Sequence, residues 1–128
     1  MKKLIAIFVA LGLLTVLTAA SCGGSGGGAG GGPSVHMGET TFLQPSVTIS
    51  KGSSLNLIDD VAVTHIIGNG SWVNGTAKPS TEPGAPTVSN MQFTSAGQSQ
   101  TIGPFNTSGT YHLYCSVHQG MNLTVIVQ

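Results

Sequence analysis

The chain has few charged side chains, few aromatic ones and only two cysteines. Asp, Glu, Lys and Arg make up 6% of its 128 residues, and four acidic residues balance four basic ones. A chain without a basic cluster has no electrostatic footprint for nucleic acid, so we expect no nucleic-acid partner. Its length allows one modest domain. No segment carries the apolar repeat of an amphipathic helix.

Residues 1–21 have the pattern of a secretory signal peptide. Two lysines follow the first methionine, an apolar run extends from Leu4 to Leu17, and small residues lead up to Cys22. An uncleaved membrane anchor is an alternative, but the apolar run is short for the ~20 residues of a span. We therefore expect an exported protein.

Cys22 is the predicted attachment point for lipid. Small residues directly before a cysteine resemble the bacterial lipoprotein box, which implies cleavage before Cys22 and acylation of its sulfur. Ala19 departs from that box, which usually has Leu three residues before the cysteine, and an ordinary signal peptide is the alternative. With Cys22 lipidated, we expect no disulfide to Cys115. The predicted location is the outer face of the cytoplasmic membrane or the periplasmic side.

The remaining chain divides into a tether and a domain. Residues 22–32 are almost all glycine after the cysteine, a composition that behaves as flexible coil. Residues 33–128 contain short runs of alternating apolar and polar residues separated by turn signals. Such spacing predicts an all-β sandwich. Within it, residues 68–90 are rich in Gly, Pro, Ser and Asn and are predicted as a long loop, and Asp59-Asp60 as the polar end of a strand.

One stretch joins two predicted strands and carries three potential metal ligands. Cys115, His118 and Met121 are separated by two residues each, and alternation places Cys115 opposite His112. A thiolate, an imidazole and a thioether together suit copper. A second imidazole has to come from elsewhere in the chain, and His65 is the candidate.

This combination resembles the cupredoxins of the plastocyanin/amicyanin type over residues 41–128. The resemblance rests on Gly109-Thr110-Tyr111, on Cys115-Ser116-Val117-His118-Gln119-Gly120-Met121, and on His65, with a loop spacing similar to the short amicyanin version. It implies a Greek-key β-sandwich that binds one type 1 copper. It also implies a monomer that passes single electrons between redox protein partners and is not itself an enzyme.

The resemblance also implies a role for each ligand. His65, Cys115 and His118 would bind copper in one plane, and Met121 would be a weak axial ligand. Many cupredoxins have an Asn after the first His, whereas this chain has Ile66, so Thr64 or Ser116 is expected to brace the loop instead. His118 would lie near the surface, within an apolar docking patch that includes Val117, Gly120 and Met121, with Trp72 as a further candidate.

Each ligand also has a structural alternative. Cys115 is compatible with a buried free thiol, His65 with a hydrogen-bonded histidine at a strand end, and Met121 with core packing. His112 and His36 are predicted surface residues. The alternative function is a copper-binding module for buffering or delivery. An oxidase or nitrite reductase domain requires further histidine clusters, and this chain has four histidines and no His-x-His pair.

Overall fold

The computed structural model describes residues 32–128. The predicted signal peptide, Cys22 and nearly all of the glycine-rich tether lie outside these residues. Between residues 32 and 128 no helix is long and apolar enough to cross a membrane. The described part forms nine strands: β1 (Ser34–Met37), β2 (Ser46–Ile49), β3 (Leu55–Asp59), β4 (His65–Val73), β5 (Thr76–Pro79), β6 (Met91–Phe93), β7 (Ser99–Ile102), β8 (Gly109–Cys115) and β9 (Asn122–Val127).

The strands form two sheets. The smaller sheet has the order β1-β3-β7, and the larger has the order β2-β9-β8-β4-β5, with β6 also pairing to β4. β1 pairs with β3 and β2 with β9 in parallel, and the other pairs are antiparallel. Neighbours in each sheet are often distant in sequence, as Greek-key connections require. The prediction of an all-β sandwich is confirmed.

The core lies between the sheets and is built by alternation along the strands. In β9, Leu123, Val125 and Val127 are buried, while the residues between them are half-buried. Successive side chains of a strand point to opposite faces, so each strand contributes every second residue to one apolar layer. In β3 the same alternation buries Leu55, Leu57 and then Asp59. β3 does end at Asp59, as predicted, but this carboxylate continues the inward-facing row and is fully buried.

The predicted long loop over residues 68–90 is wrong in its first half. β4 continues to Val73, turns at Asn74 and Gly75, and returns as β5. Both turn residues have positive φ, 50° and 75°, as a tight two-residue hairpin turn requires. Gly70 allows the close approach of the two strands, because a Cβ there would collide with the Lys78 carbonyl. We refer to this unit as the β4–β5 hairpin.

The second half of that segment has no regular strand but is fixed to the sheet by Asn69. The Asn69 side-chain amide donates to the Pro86 carbonyl at 3.1 Å, and its oxygen accepts from the Val88 amide at 2.6 Å. Glu82 adds a contact of 2.6 Å from its Oε1 to Nδ1 of His112. The segment is thus tied to β4 through Asn69 and to β8 through His112, and Val88 is buried in the core.

Candidate metal centre

Two strands of the larger sheet bring the predicted ligands together. Cys115 ends β8 and pairs with Ile67 of β4, two residues after His65. The residues after Cys115 form a tight loop, which we call the site loop (residues 115–121). The Cys115 amide donates to the Met121 carbonyl at 3.0 Å, and the Met121 amide donates to the His118 carbonyl at 3.2 Å. These two bonds close the site loop at its base.

Three potential ligand atoms converge at this point. The Sγ of Cys115 lies 3.8 Å from Nδ1 of His65 and 3.5 Å from Nδ1 of His118. The three atoms all lie within 4.8 Å of one another. His65 and Cys115 are fully buried, and His118 is partly exposed, with its ring against the His65 ring at a centroid distance of 4.9 Å.

These separations fit one metal ion. With bonds of ~2.0 Å to nitrogen and ~2.3 Å to sulfur, a trigonal plane places nitrogen and sulfur about 3.7 Å apart. The observed sulfur–nitrogen distances of 3.8 and 3.5 Å lie on either side of that value. The donor set, one thiol and two imidazoles, is the in-plane set of a blue-copper site. The three side chains can therefore hold copper without a large rearrangement.

The environment of His65 favours its neutral form. Burial lowers the pKa of His65 below its ordinary value of 6.5, and the nearby His118 lowers it further, against the opposing effects of the Asp59 carboxylate and the Gly38 backbone. Desolvation dominates because the side chain is fully buried. A metal ligand has to be deprotonated at the coordinating nitrogen, so the fold presents His65 in the form that a metal requires.

Met121 is the last residue of the site loop, and its side chain points into the protein interior. Its side chain is 1% exposed and packs with the apolar core next to the loop. The axial role predicted for its sulfur stays a prediction. Burial does exclude Met121 from the predicted docking patch, which was wrong on this point. Val117, by contrast, is 49% exposed beside His118.

The brace predicted from Thr64 or Ser116 is formed by Ser116. The amide of Ser116 donates to the Ile66 carbonyl at 2.8 Å, and its hydroxyl donates to the same oxygen at 3.3 Å. The backbone of Ile66 thus accepts from the site loop at the position where the resemblance implied an Asn side chain. The residue after His65 is therefore joined to the residue after Cys115 without an amide side chain.

Trp72 and Asn122 add a second brace that sequence reasoning missed. The indole Nε1 of Trp72 donates to the Cys115 carbonyl at 2.9 Å. The Asn122 side chain accepts from the Trp72 amide at 2.7 Å and donates to the Trp72 carbonyl at 3.1 Å. The β4–β5 hairpin is therefore fastened to Cys115, where the site loop begins, and to Asn122, directly after the loop ends. The Asn-Gly turn signal at residues 74–75 was the available clue to this hairpin.

The remaining histidines lie away from the site. His112 is 42% exposed and contacts Glu82, and His36 is 40% exposed and contacts Asp60 at 2.7 Å. Both are surface residues, as predicted.

The comparisons with known proteins agree with this site. The profile of a family described as copper binding proteins, plastocyanin/azurin family, matches residues 33–128, and the chain belongs to that family. It is a cupredoxin with copper as its cofactor, in a family of electron-transfer proteins. A comparison with curated protein sequences gives no match.

Solved structures show the same fold. Amicyanin from Paracoccus versutus is similar with a TM-score of 0.56 and 22% identity, over 75% of this chain and 80% of that one. A reduced single-residue variant of amicyanin gives a TM-score of 0.58 and 16% identity, over 81% of this chain and 88% of that one.

Proposed function

We propose that this protein is a type 1 copper protein that carries single electrons between extracytoplasmic redox partners. His65, Cys115 and His118 would hold the copper, with Met121 as a further, weak ligand. Copper supplies the Cu(II)/Cu(I) couple, and the side chains supply a site that suits both states. The protein has no catalytic activity of its own and acts as a monomer.

The observation that carries the proposal is the convergence of one thiol and two imidazoles within 4.8 Å. The cysteine and one histidine come from the site loop and the other histidine from β4. Amicyanin structures similar to this chain are described in reduced and in oxidised states. A fold that holds copper in both states is what one-electron transfer requires.

Burial favours electron transfer over copper delivery. Cys115 and His65 are 0% exposed and Met121 is 1% exposed, so only the partly exposed His118 reaches the surface. A delivery protein has to release its metal to an acceptor, whereas these side chains enclose it. Electrons can reach a partner through the His118 ring while the copper remains in place.

We propose that the domain, residues 33–128, works at a membrane. Residues 1–21 direct export, Cys22 carries the lipid, and residues 22–32 hold the domain off the bilayer. Two acyl chains give stable anchoring, whereas a single chain gives only marginal binding. The redox partners are then extracytoplasmic or membrane-bound proteins within reach of a tethered domain.

The decisive experiment is the absorption spectrum of the Cu(II)-loaded protein, with its metal content measured in parallel. We expect intense visible thiolate-to-copper charge transfer and reversible cycling to a colourless Cu(I) state. A copper-loaded protein without this band, or one that yields copper to a chelator faster than it exchanges electrons, would rule the proposal out.

The two cysteines provide matched control variants. Cys115→Ser is expected to abolish the colour, because no other thiol lies near the site in the described residues. Cys22→Ala is expected to retain the colour but to lose the lipid and its mass in an intact-protein spectrum. An intensely blue Cys115→Ser protein contradicts the ligand assignment, and an unmodified wild-type Cys22 contradicts the anchor.

A further inference from the structure

Asp59 is a fully buried carboxylate next to the proposed copper site. Its side chain is 0% exposed, and its only ion-pair partner among the described residues is His65. One oxygen, Oδ1, accepts from the Val61 amide at 3.2 Å. The other, Oδ2, has no hydrogen-bond partner within residues 32–128. Burying such a group without a partner is costly, so its presence calls for an explanation.

The backbone holds this carboxylate in a fixed position. Asp59 is in register with Met37 of β1, and its amide donates to the Gln98 carbonyl at 2.8 Å. The Asp59 carbonyl accepts from the Gly97 amide at 2.6 Å. With a strand on one side and a turn on the other, the backbone of Asp59 is held in place, and its carboxylate is directed into the buried interior.

His65 has a matching unpartnered group. Its Nδ1 faces the Cys115 sulfur, and its Nε2, also without a hydrogen-bond partner in the described residues, lies 3.8 Å from Oδ1 of Asp59. When Nδ1 binds a metal, the neutral ring must carry its proton on Nε2. The buried Nε2–H then faces the Asp59 carboxylate, whose nearer oxygen, Oδ1, accepts from the Val61 amide and whose Oδ2 has no partner in the described residues. The Gly38 backbone is the other group that favours a proton on this ring.

We propose that Asp59 is a positioning residue for the copper site. In the copper-bound protein its carboxylate, 3.8 Å from Nε2 of His65 in this structure, moves into hydrogen-bond distance, accepts the Nε2–H and stabilises Cu(II) over Cu(I). The inference rests on the proposed function. Metal-bound histidines commonly donate their second ring N–H to a carboxylate, which fixes the tautomer and raises ligand basicity. Cu(II) with a thiolate has a net charge of +1 and Cu(I) with a thiolate is neutral. A buried carboxylate therefore balances the oxidised site and not the reduced one.

The test is the reduction potential of Asp59→Asn in the copper-loaded full-length protein in mild detergent. Asparagine keeps the shape and the oxygen that accepts from Val61 but removes the charge. We expect the ratio of Cu(I) to Cu(II) affinity to rise at least tenfold, which is 59 mV for a one-electron couple. A merely structural role for Asp59 would alter unfolding and leave the potential unchanged.

Asp60→Asn is the matched control. Asp60 is the next residue and loses the same charge, but its side chain is 39% exposed and contacts His36. We expect its potential to stay close to that of the wild type, because solvent screens its charge. Equal potentials in wild type and Asp59→Asn, or equal shifts in the two variants, would overturn the inference.

A second measurement decides the matter if Asp59→Asn does not fold or bind copper. In the diamagnetic Cu(I) protein with ¹⁵N-labelled histidine, we expect the Nε2–H of His65 to give a downfield proton signal protected from solvent exchange. The partly exposed His118 ring provides the internal comparison and should exchange quickly. If the ring N–H protons of His65 and His118 exchange with solvent at similar rates, the proposed hydrogen bond is refuted. A wild-type protein without the blue band would instead refute the proposed function itself.

Discussion

Asn122→Ala tests how much the Asn122 side chain, directly after the site loop, contributes to fastening the β4–β5 hairpin. The Asn122 side chain makes two hydrogen bonds to the backbone of Trp72, at 2.7 and 3.1 Å. Alanine leaves a backbone amide and a carbonyl of Trp72 without these partners. Each bond contributes about 1 kcal/mol net, so we expect the free energy of unfolding to fall by about 2 kcal/mol. For a domain of this size, such a loss lowers Tm by roughly 8–16 °C.

The assay is urea unfolding of the copper-free protein, because bound metal adds its own contribution to stability. Gln119→Ala is the matched control: Gln119 also reaches the hairpin, but with one exposed contact of 3.5 Å to the Gly75 carbonyl. We expect a loss below about 0.5 kcal/mol for that variant. A loss under 0.5 kcal/mol for Asn122→Ala, or equal losses for both variants, would show that this brace does not stabilise the hairpin.

Three further predictions concern the site. Met121→Leu should keep the colour and raise the reduction potential. Met121→Gln should lower the reduction potential, because a harder oxygen donor favours Cu(II). Equal potentials of the two variants and the wild type in voltammetry would remove Met121 from the ligand set. The pKa of His65 is lowered by burial, so the unfolded state binds the proton more readily. The metal-free protein should therefore lose stability as pH falls below 6.5, in denaturant titrations at several pH values, and His65→Gln should weaken this dependence. Trp72→Phe removes the 2.9 Å hydrogen bond from the indole to the Cys115 carbonyl. It should lower the free energy of unfolding by about 1 kcal/mol. The visible charge-transfer band of the copper-loaded variant, measured alongside, should stay in place.

The sequence was most informative where one short motif carries the chemistry. Cys115 and His118 lie three residues apart, so the loop alone places them near each other. His65 is fifty residues from Cys115, and it was linked to the loop by the need for a second imidazole and by the resemblance to a known fold. The alternation of apolar residues predicted the sandwich because the strands follow a period of two.

The errors have identifiable physical causes. Glycines and prolines in residues 68–79 were interpreted as loop signals, although Gly70 serves a close strand approach and Asn74-Gly75 a hairpin turn. Asp59 does end its strand as predicted, but its charge gave no sign of burial, although Leu55, Leu57 and Asp59 are spaced two apart and share the inward face. The contacts of Trp72 and Asn122 depend on tertiary pairing across fifty residues, which local pattern does not specify.

The uneven burial of the four proposed ligands has a consequence for the rate at which copper is lost. His65, Cys115 and Met121 are at most 1% exposed, so His118 is the only one of the four that reaches solvent. A departing ion, an incoming chelator and a docking redox partner would all meet the site at the His118 ring. A bound partner would therefore cover the exposed His118 ring. Copper should then dissociate more slowly from the complex than from the free protein. Residence time on the partner would then protect the metal as well as permit electron exchange.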